Sequence, residues 1–252
     1  MGLLAWDAHS YDRYALPHQR WGLETIQRLE LVGTETVLDF GCGTGRDVER
    51  LLTALPAGRV IAVDGSPEML GLLRRRLADR ASLVEVIQAD LRERLPVTGV
   101  DAVMSVATLH WLPDHAQVFA NIFEVLRPGG RFAAEAGGSG NIAAVLAAVR
   151  RATRRMSGAS GRADAGRNFM GVNDTMTNLA AAGFVDIEVQ LATESMPVPE
   201  GEFEEFLATV MLVPELTGLS VTDRTALVRA VAEEIGEPVV DWVRLRLTAT
   251  RP

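Results

Sequence analysis

The sequence predicts an α/β domain on a doubly wound sheet. Three observations predict it. Short apolar runs alternate with helix-like stretches from residue 36 to residue 136. A glycine-rich turn, "DFGCGTG" at residues 39–45, follows the first run and opens a helical stretch. Aspartates close the first three runs, at Asp39, Asp64 and Asp90. Strands that alternate with helices imply parallel βαβ units.

Residues 21–31 read as a helix. Strands are expected over 36–40, 59–64, 83–88, 100–106 and 131–136, with helices over 45–55, 67–79 and 113–126 between them. Ser66 is placed to cap the second of these helices, and Pro67 sits where a first-turn proline is tolerated. "RPGGR", residues 127–131, reads as a helix stop and turn. Beyond residue 136 come a loop, a long helix with a basic end, and a glycine-rich segment over 157–167 with the composition of a linker. A helix over 173–182 ends at Gly183, and a strand is expected over 184–191. Two helices within 202–236 and a last strand over 241–250 complete the chain. In that last strand Trp242, Leu245 and Leu247 stand among Arg244, Arg246 and Thr248, and Trp242 is expected in the core. The organisation is one domain over 1–252, with an N-terminal helical lid over 1–30 and helical cap elements over 137–182 and 195–240.

Composition narrows the function. With 252 residues, 48% of them apolar, the chain can bury a full core. A net charge of −8 argues against a nucleic-acid partner. No apolar run is long enough for a membrane span, and the first residues lack the pattern of a secretory signal. Cys42 is the one cysteine, so neither an intrachain disulfide nor a cysteine zinc site is expected. These features fit a cytoplasmic protein that needs no metal. The chain contains no lysine, which removes Schiff-base and Walker-lysine chemistry.

The spacing G-x-G-x-G differs from the dinucleotide pattern G-x-G-x-x-G. Asp39 before it would repel a pyrophosphate but suits an ammonium group. Asp64 lies about 20 residues further on, where a carboxylate meets ribose hydroxyls. Asp90 could receive an adenine amino group. Three acids at successive strand ends suit a nucleoside that carries an amino acid and no phosphate; S-adenosylmethionine is such a ligand.

At these residues the sequence resembles the class I S-adenosylmethionine-dependent methyltransferases. The matching segments are "VLDFGCGTG", "VIAVDGSPEML", "VIQADLRE", "VDAVMSVATLHWLPD" and "EVLRPGGRF". The resemblance implies a seven-stranded sheet of order 3-2-1-4-5-7-6 with the seventh strand antiparallel. It implies Asp39, Gly41, Gly43 and Gly45 around the methionine part of the cofactor. Asp64, Gly65 and Met69 are implied near the ribose, Asp90 and Leu91 at the adenine, and Ala107 along the same cleft. "YDRYALPHQRWG" and "LHWLPDH" are similar to a small-molecule branch that includes trans-aconitate methyltransferase, in which Gln19 and Trp21 would lie near the methionine end.

The cofactor brings its own electrophile, so the protein mainly positions the acceptor and excludes water. A carboxylate acceptor needs no base; a hydroxyl does. His110 is the candidate base, with ordinary packing as its alternative, and Glu135 is a candidate base or orienting acid. His115 is expected on a helix surface. Tyr14, Trp111, Phe169 and Met170 are candidates for an apolar acceptor wall. O-methylation of a small molecule is favoured, with a carboxylate acceptor as one version of it. C- or N-methylation and a cofactor-binding role without methyl transfer are the alternatives.

Overall fold

The structure, a computed structural model, describes residues 18–156, 166–199 and 201–252. Helix α1 (His18–Arg28) precedes β1 (Thr36–Phe40). Then follow α2 (Arg46–Ala54), β2 (Arg59–Asp64), α3 (Pro67–Arg76), β3 (Val84–Gln88) and β4 (Val100–Val106). The chain continues through a short turn at Leu109–Trp111, α4 (His115–Val125), β5 (Leu126–Gly137), α5 (Ala143–Arg155), α6 (Val172–Ala182) and β6 (Val185–Pro197). Short helical pieces α7 (Phe203–Phe206), a π-turn (Leu207–Met211) and α8 (Val213–Leu216) lead to α9 (Val221–Ile235) and β7 (Val239–Thr250). Among the described residues no helix is long and apolar enough to cross a membrane.

The strands form a seven-stranded sheet in the order β3-β2-β1-β4-β5-β7-β6. β1 to β5 pair in parallel, and β7 runs antiparallel to both β5 and β6. This is the order the resemblance implied. The central strands are apolar on both faces, as a sheet covered on two sides requires. Alternate residues divide the two layers. Leu38, Phe40, Ile61, Val63, Phe132 and Ala134 face α4 and α6. Val37, Val60, Ala62, Met104 and Ala133 face α1, α2 and α3. Ser66 caps α3 as expected, accepting the Met69 N–H at 3.2 Å.

Three expectations change. "RPGG" is not a simple helix stop: α4 ends at Val125, and the segment runs within β5 as an irregular stretch. There the pairing with β4 shifts from Val100–Leu126 to Ala102–Arg131, while Gly129 N–H and Gly130 C=O bond to Arg251. The strand expected over 184–191 continues to Pro197, because β7 offers a partner along its whole length. The proposed cap divides. α6 belongs to the sheet layer, since Leu179 lies in the main core. α5 and α9 instead build a second core with Phe206, Leu207 and Met211, closed on the sheet side by Trp21, Val240 and Trp242. Most of the lid expected over 1–30, including Tyr14, lies outside the described residues, as does most of the expected linker.

Phe132 sits at the centre of the main layer, fully buried, between Phe119 (centroids 6.1 Å apart) and Phe184 (6.0 Å). Phe132→Ala is expected to lower unfolding stability by roughly 3–5 kcal/mol in a urea titration, since it leaves a cavity that rigid strands cannot close. A loss below about 1 kcal/mol would mean that the layer can collapse around the gap.

Candidate active site

The glycine loop crosses the carboxyl ends of three neighbouring strands. Gly41 and Cys42 N–H both donate to Val63 C=O on β2, at 2.8 and 3.0 Å. Thr108, just beyond β4, donates its hydroxyl to Gly41 C=O at 3.2 Å. Gly41 has φ 87°, and a Cβ on it would stand 2.2 Å from Thr108 Oγ1, so only glycine fits between the strand ends. Gly43 has φ 52° and nothing within 4 Å of a Cβ position; its side of the loop opens towards a ligand.

The loop forms one wall of a cavity of about 270 Å³. On the β1–β3 flank the lining includes Gly41, Gly43, Asp64, Gly65, Met69, Asp90, Leu91 and Arg92. Ala107 lies at the floor; its φ of 56° is uncommon for a residue with a side chain, and its N–H is held by Glu135 C=O at 2.7 Å. On the β4–β7 flank the lining includes His110, Trp111, Asn141, Arg167, Phe169, Trp242 and Arg244. Among the described lining residues the carboxylates are Asp64 and Asp90, both on the first flank, where Arg92 pairs with Asp90; Arg167 and Arg244 stand on the second.

Each acid has its own surroundings. Asp39 lies behind the loop and does not line the cavity; its Oδ2 makes no hydrogen bond among the described residues. Burial holds its carboxyl well above the usual carboxylate range, and Asp47 and Asp64 add repulsion. A buried acceptor of this kind fits a cation arriving at the loop. Asp64 accepts Gly43 N–H at 2.9 Å and Ser66 N–H at 2.8 Å; burial raises its pKa, and those bonds oppose the rise. Asp90 is clasped by Arg92, whose hydrogen bonds lower its pKa.

His110 is buried, with its ring 4.8 Å from that of Trp111 and 5.7 Å from that of Phe169. Gly137 N–H donates to its Nδ1 at 3.2 Å. With Nδ1 accepting, the neutral tautomer that fits this bond has its proton on Nε2. Glu135 is fully buried outside the cavity lining, and its carboxylate lies 3.3 Å from both Arg28 and Arg246 and 3.6 Å from Arg244. Burial pushes its pKa up, and the three guanidiniums pull it back. This ionic enclosure, on the side of β5 covered by α1, leaves it no path to an acceptor.

Other expected residues also move. Trp21 is fully buried and does not line the cavity; it packs edge-on to Trp242 at 5.4 Å and donates to Glu194 at 3.0 Å. Gly45 supports the loop from behind, with φ 82° and Leu73 against it. Met170 is buried against the His115 ring instead of forming the wall. His115 is buried rather than on the helix surface, bonded through Nε2 to Leu109 C=O at 2.7 Å, and burial lowers its pKa. Gln19 belongs to α1, and its side chain lies outside the described residues.

Four lining residues were not among the expected site residues. Trp242 and Arg244 share one face of β7, and their alternation was the available signal. Asn141 is fixed by Val243 N–H donating to its Oδ1 at 2.9 Å. Arg167 is buried, paired with the fully buried side chain of Glu215 and placed 5.3 Å over the Trp111 ring.

Comparison with known proteins agrees with this geometry. A family model described as a methyltransferase domain matches residues 37–130. A trans-aconitate 2-methyltransferase of Azoarcus sp. is 38% identical over 125 residues, 50% of this chain and 48% of that protein. The chain thus matches about half the length of such relatives. Among solved structures, a candidate methyltransferase of Bacillus halodurans aligns with TM-score 0.64 at 18% identity, covering 92% of this chain and 98% of that one. Haemonchus contortus phosphoethanolamine N-methyltransferase 2, solved with S-adenosylhomocysteine, aligns with TM-score 0.61 at 20% identity, covering 92% and 52%. The chain thus has the strand order of solved methyltransferases, carries a segment that matches a methyltransferase domain, and is similar to the trans-aconitate 2-methyltransferases over half its length.

Proposed function

We propose that the protein is a methyltransferase that uses S-adenosylmethionine to esterify a carboxylate on a small molecule. The observation that carries the acceptor class is the β4–β7 flank of the cavity. Two arginines with buried side chains stand there beside aromatic rings, and no described carboxylate lines it. That arrangement favours an anionic acceptor with an apolar body. Glu135 is locked among guanidiniums and His110 offers an N–H, so the reading asks for a nucleophile that is already ionised at neutral pH.

On this reading Asp64 takes the ribose hydroxyls, Asp90 and Leu91 the adenine, and the backbone of Gly41 and Gly43 the methionine part. Asp39 balances the ammonium group. The cofactor supplies a methyl group on a sulfonium, electrophilic without further activation. The chain's part is to bind and orient the acceptor oxygen: Arg244 and Arg167 hold the anion, His110 Nε2–H donates to an acceptor oxygen, and Trp111, Phe169 and Trp242 exclude water.

The reading is tested by incubating the protein with S-adenosylmethionine and a panel of trans-aconitate, other aliphatic and aromatic acids, phenols and amines. S-adenosylhomocysteine is expected to form with acids, alongside a base-labile methyl ester seen by mass spectrometry. Turnover with phenols or amines alone would reject the carboxylate reading, and cofactor binding without any turnover would reject methyl transfer.

Two cofactor predictions accompany it. Asp64→Ala is expected to weaken S-adenosylhomocysteine binding by roughly 1–3 kcal/mol, the worth of a lost charge-assisted hydrogen bond. Unchanged calorimetric affinity in the folded variant would remove Asp64 from the ribose. Affinity is also expected to depend on pH through Asp39. In the free protein its carboxyl holds a proton above the usual carboxylate range, whereas an adjacent ammonium favours the ionised form. Binding therefore releases a proton, and affinity rises with pH until free Asp39 is ionised. Titrations carried upward in pH from the ordinary carboxylate range should show that rise, and Asp39→Asn should flatten it.

A further inference from the structure

Glu135 has no access to the acceptor, yet it is the most enclosed acid of the sheet. Its Oε2 is shared by Arg28 of α1 and Arg246 of β7, each at 3.3 Å. Its Oε1 makes no hydrogen bond among the described residues and lies 3.6 Å from Arg244 Nε. That separation is an ion-pair contact, longer than a good hydrogen bond. Arg244 is held from another side as well, since its guanidinium lies 3.7 Å from the centroid of the Trp21 ring. Three supports thus meet at Arg244: a carboxylate at Nε, an aromatic face and its own strand, β7. Arg244 is also a lining residue of the cavity, and Glu135 and Trp21 are not.

We infer that Glu135 is a positioning residue for acceptor recognition, acting through Arg244 and not on the reacting atoms. The inference rests on the carboxylate reading above and deepens it. An arginine has a long, flexible stem, and an unrestrained guanidinium would lose rotamer freedom on meeting its anion. Clamping Nε between Glu135 and Trp21 removes that cost beforehand and fixes which edge of the fork faces the cavity. The same carboxylate keeps the neighbouring guanidiniums of Arg28 and Arg246 compensated, so the cluster survives burial. Arg246 in turn reaches Glu194 at 2.7 Å and Glu24 at 3.1 Å, which ties the clamp to β6 and α1.

The test compares wild type, Glu135→Gln, Arg244→Gln and the double variant, with trans-aconitate and the best acid of the panel as acceptors. Glu135→Gln is expected to raise the acceptor KM about tenfold, the factor carried by one charge-assisted contact, with kcat within about twofold of wild type. S-adenosylhomocysteine affinity should stay within about threefold, which separates this effect from general loosening of the domain. Arg244→Gln should raise KM at least as much, and adding Glu135→Gln to it should raise KM no further. If Glu135→Gln does not fold alone, the comparison of the double variant with Arg244→Gln still decides. A further rise in KM there, or an unchanged KM in either single variant, overturns the inference. A wild-type protein that methylates none of the acids overturns the carboxylate reading and this inference with it; a wild type that does, beside an unaffected Glu135→Gln, overturns the inference alone.

Discussion

The site depends on the close meeting of three strand ends. β1 can end in a loop that turns back on itself only because β2 and β4 supply its hydrogen-bond partners. Val63 C=O takes two loop N–H groups, and the Ser105 and Thr108 hydroxyls donate to Phe40 and Gly41 C=O. Asp64 then receives Gly43 N–H, so the side chain proposed for the ribose also holds the loop. Gly41 leaves no space for a side chain against Thr108. Loop, acid and β4 turn are thus one mechanical unit, and the parallel order of β2, β1 and β4 brings them together.

Much of this unit was legible in the sequence, for a physical reason. Parallel strands covered on both faces are short and apolar, and their loops need glycine or a cap at fixed places. The strands at 36–40, 59–64 and 100–106 accordingly match β1, β2 and β4 residue for residue. The acceptor side was harder to read. Trp242 was grouped with Leu245 and Leu247, but alternation along β7 puts Trp242 with Arg244 and Arg246 and leaves the leucines on the opposite face. Once the parity is respected, two arginines and a tryptophan share the face that looks towards α1 and the cap. Arg167 and Asn141 offered no such periodicity; they reach the cavity through packing between segments distant in sequence.

Glu135 shows the same limit from another direction. Its position at the end of β5 is where a catalytic acid would be sought, and position was all the sequence displayed. The guanidiniums that enclose it come from α1 and β7, on either side of it in the chain. Period-two alternation put its side chain on the α1 side, where Ala133 also points, and away from the opposite layer of Phe132 and Ala134. Met170 and His115 also depart from their expected places, both buried against each other. A histidine at the start of α4 looks solvated in a helical wheel, but α4 packs here beneath the segment that carries Met170.

The two buried ion pairs of the cavity wall are poorly explained by stability. Removing a guanidinium and a carboxylate from water costs several kcal/mol per ion, and well-packed apolar residues often serve a fold as well or better. Apolar surroundings adjoin both arginines all the same: Trp21 and Trp242 lie against Arg244, and the Trp111 ring against Arg167. What apolar residues cannot supply is a fixed positive charge in a wall that excludes water. In such surroundings a guanidinium attracts an anion far more strongly than at an exposed surface, provided that it is already oriented. The pairing carboxylates then have a double effect. They let the arginines be buried, and they lower the net charge that an incoming anion meets. On the carboxylate reading that conflict is least at Arg244, where Glu135 stands at Nε, outside the cavity lining, and the Trp21 ring lies against the guanidinium.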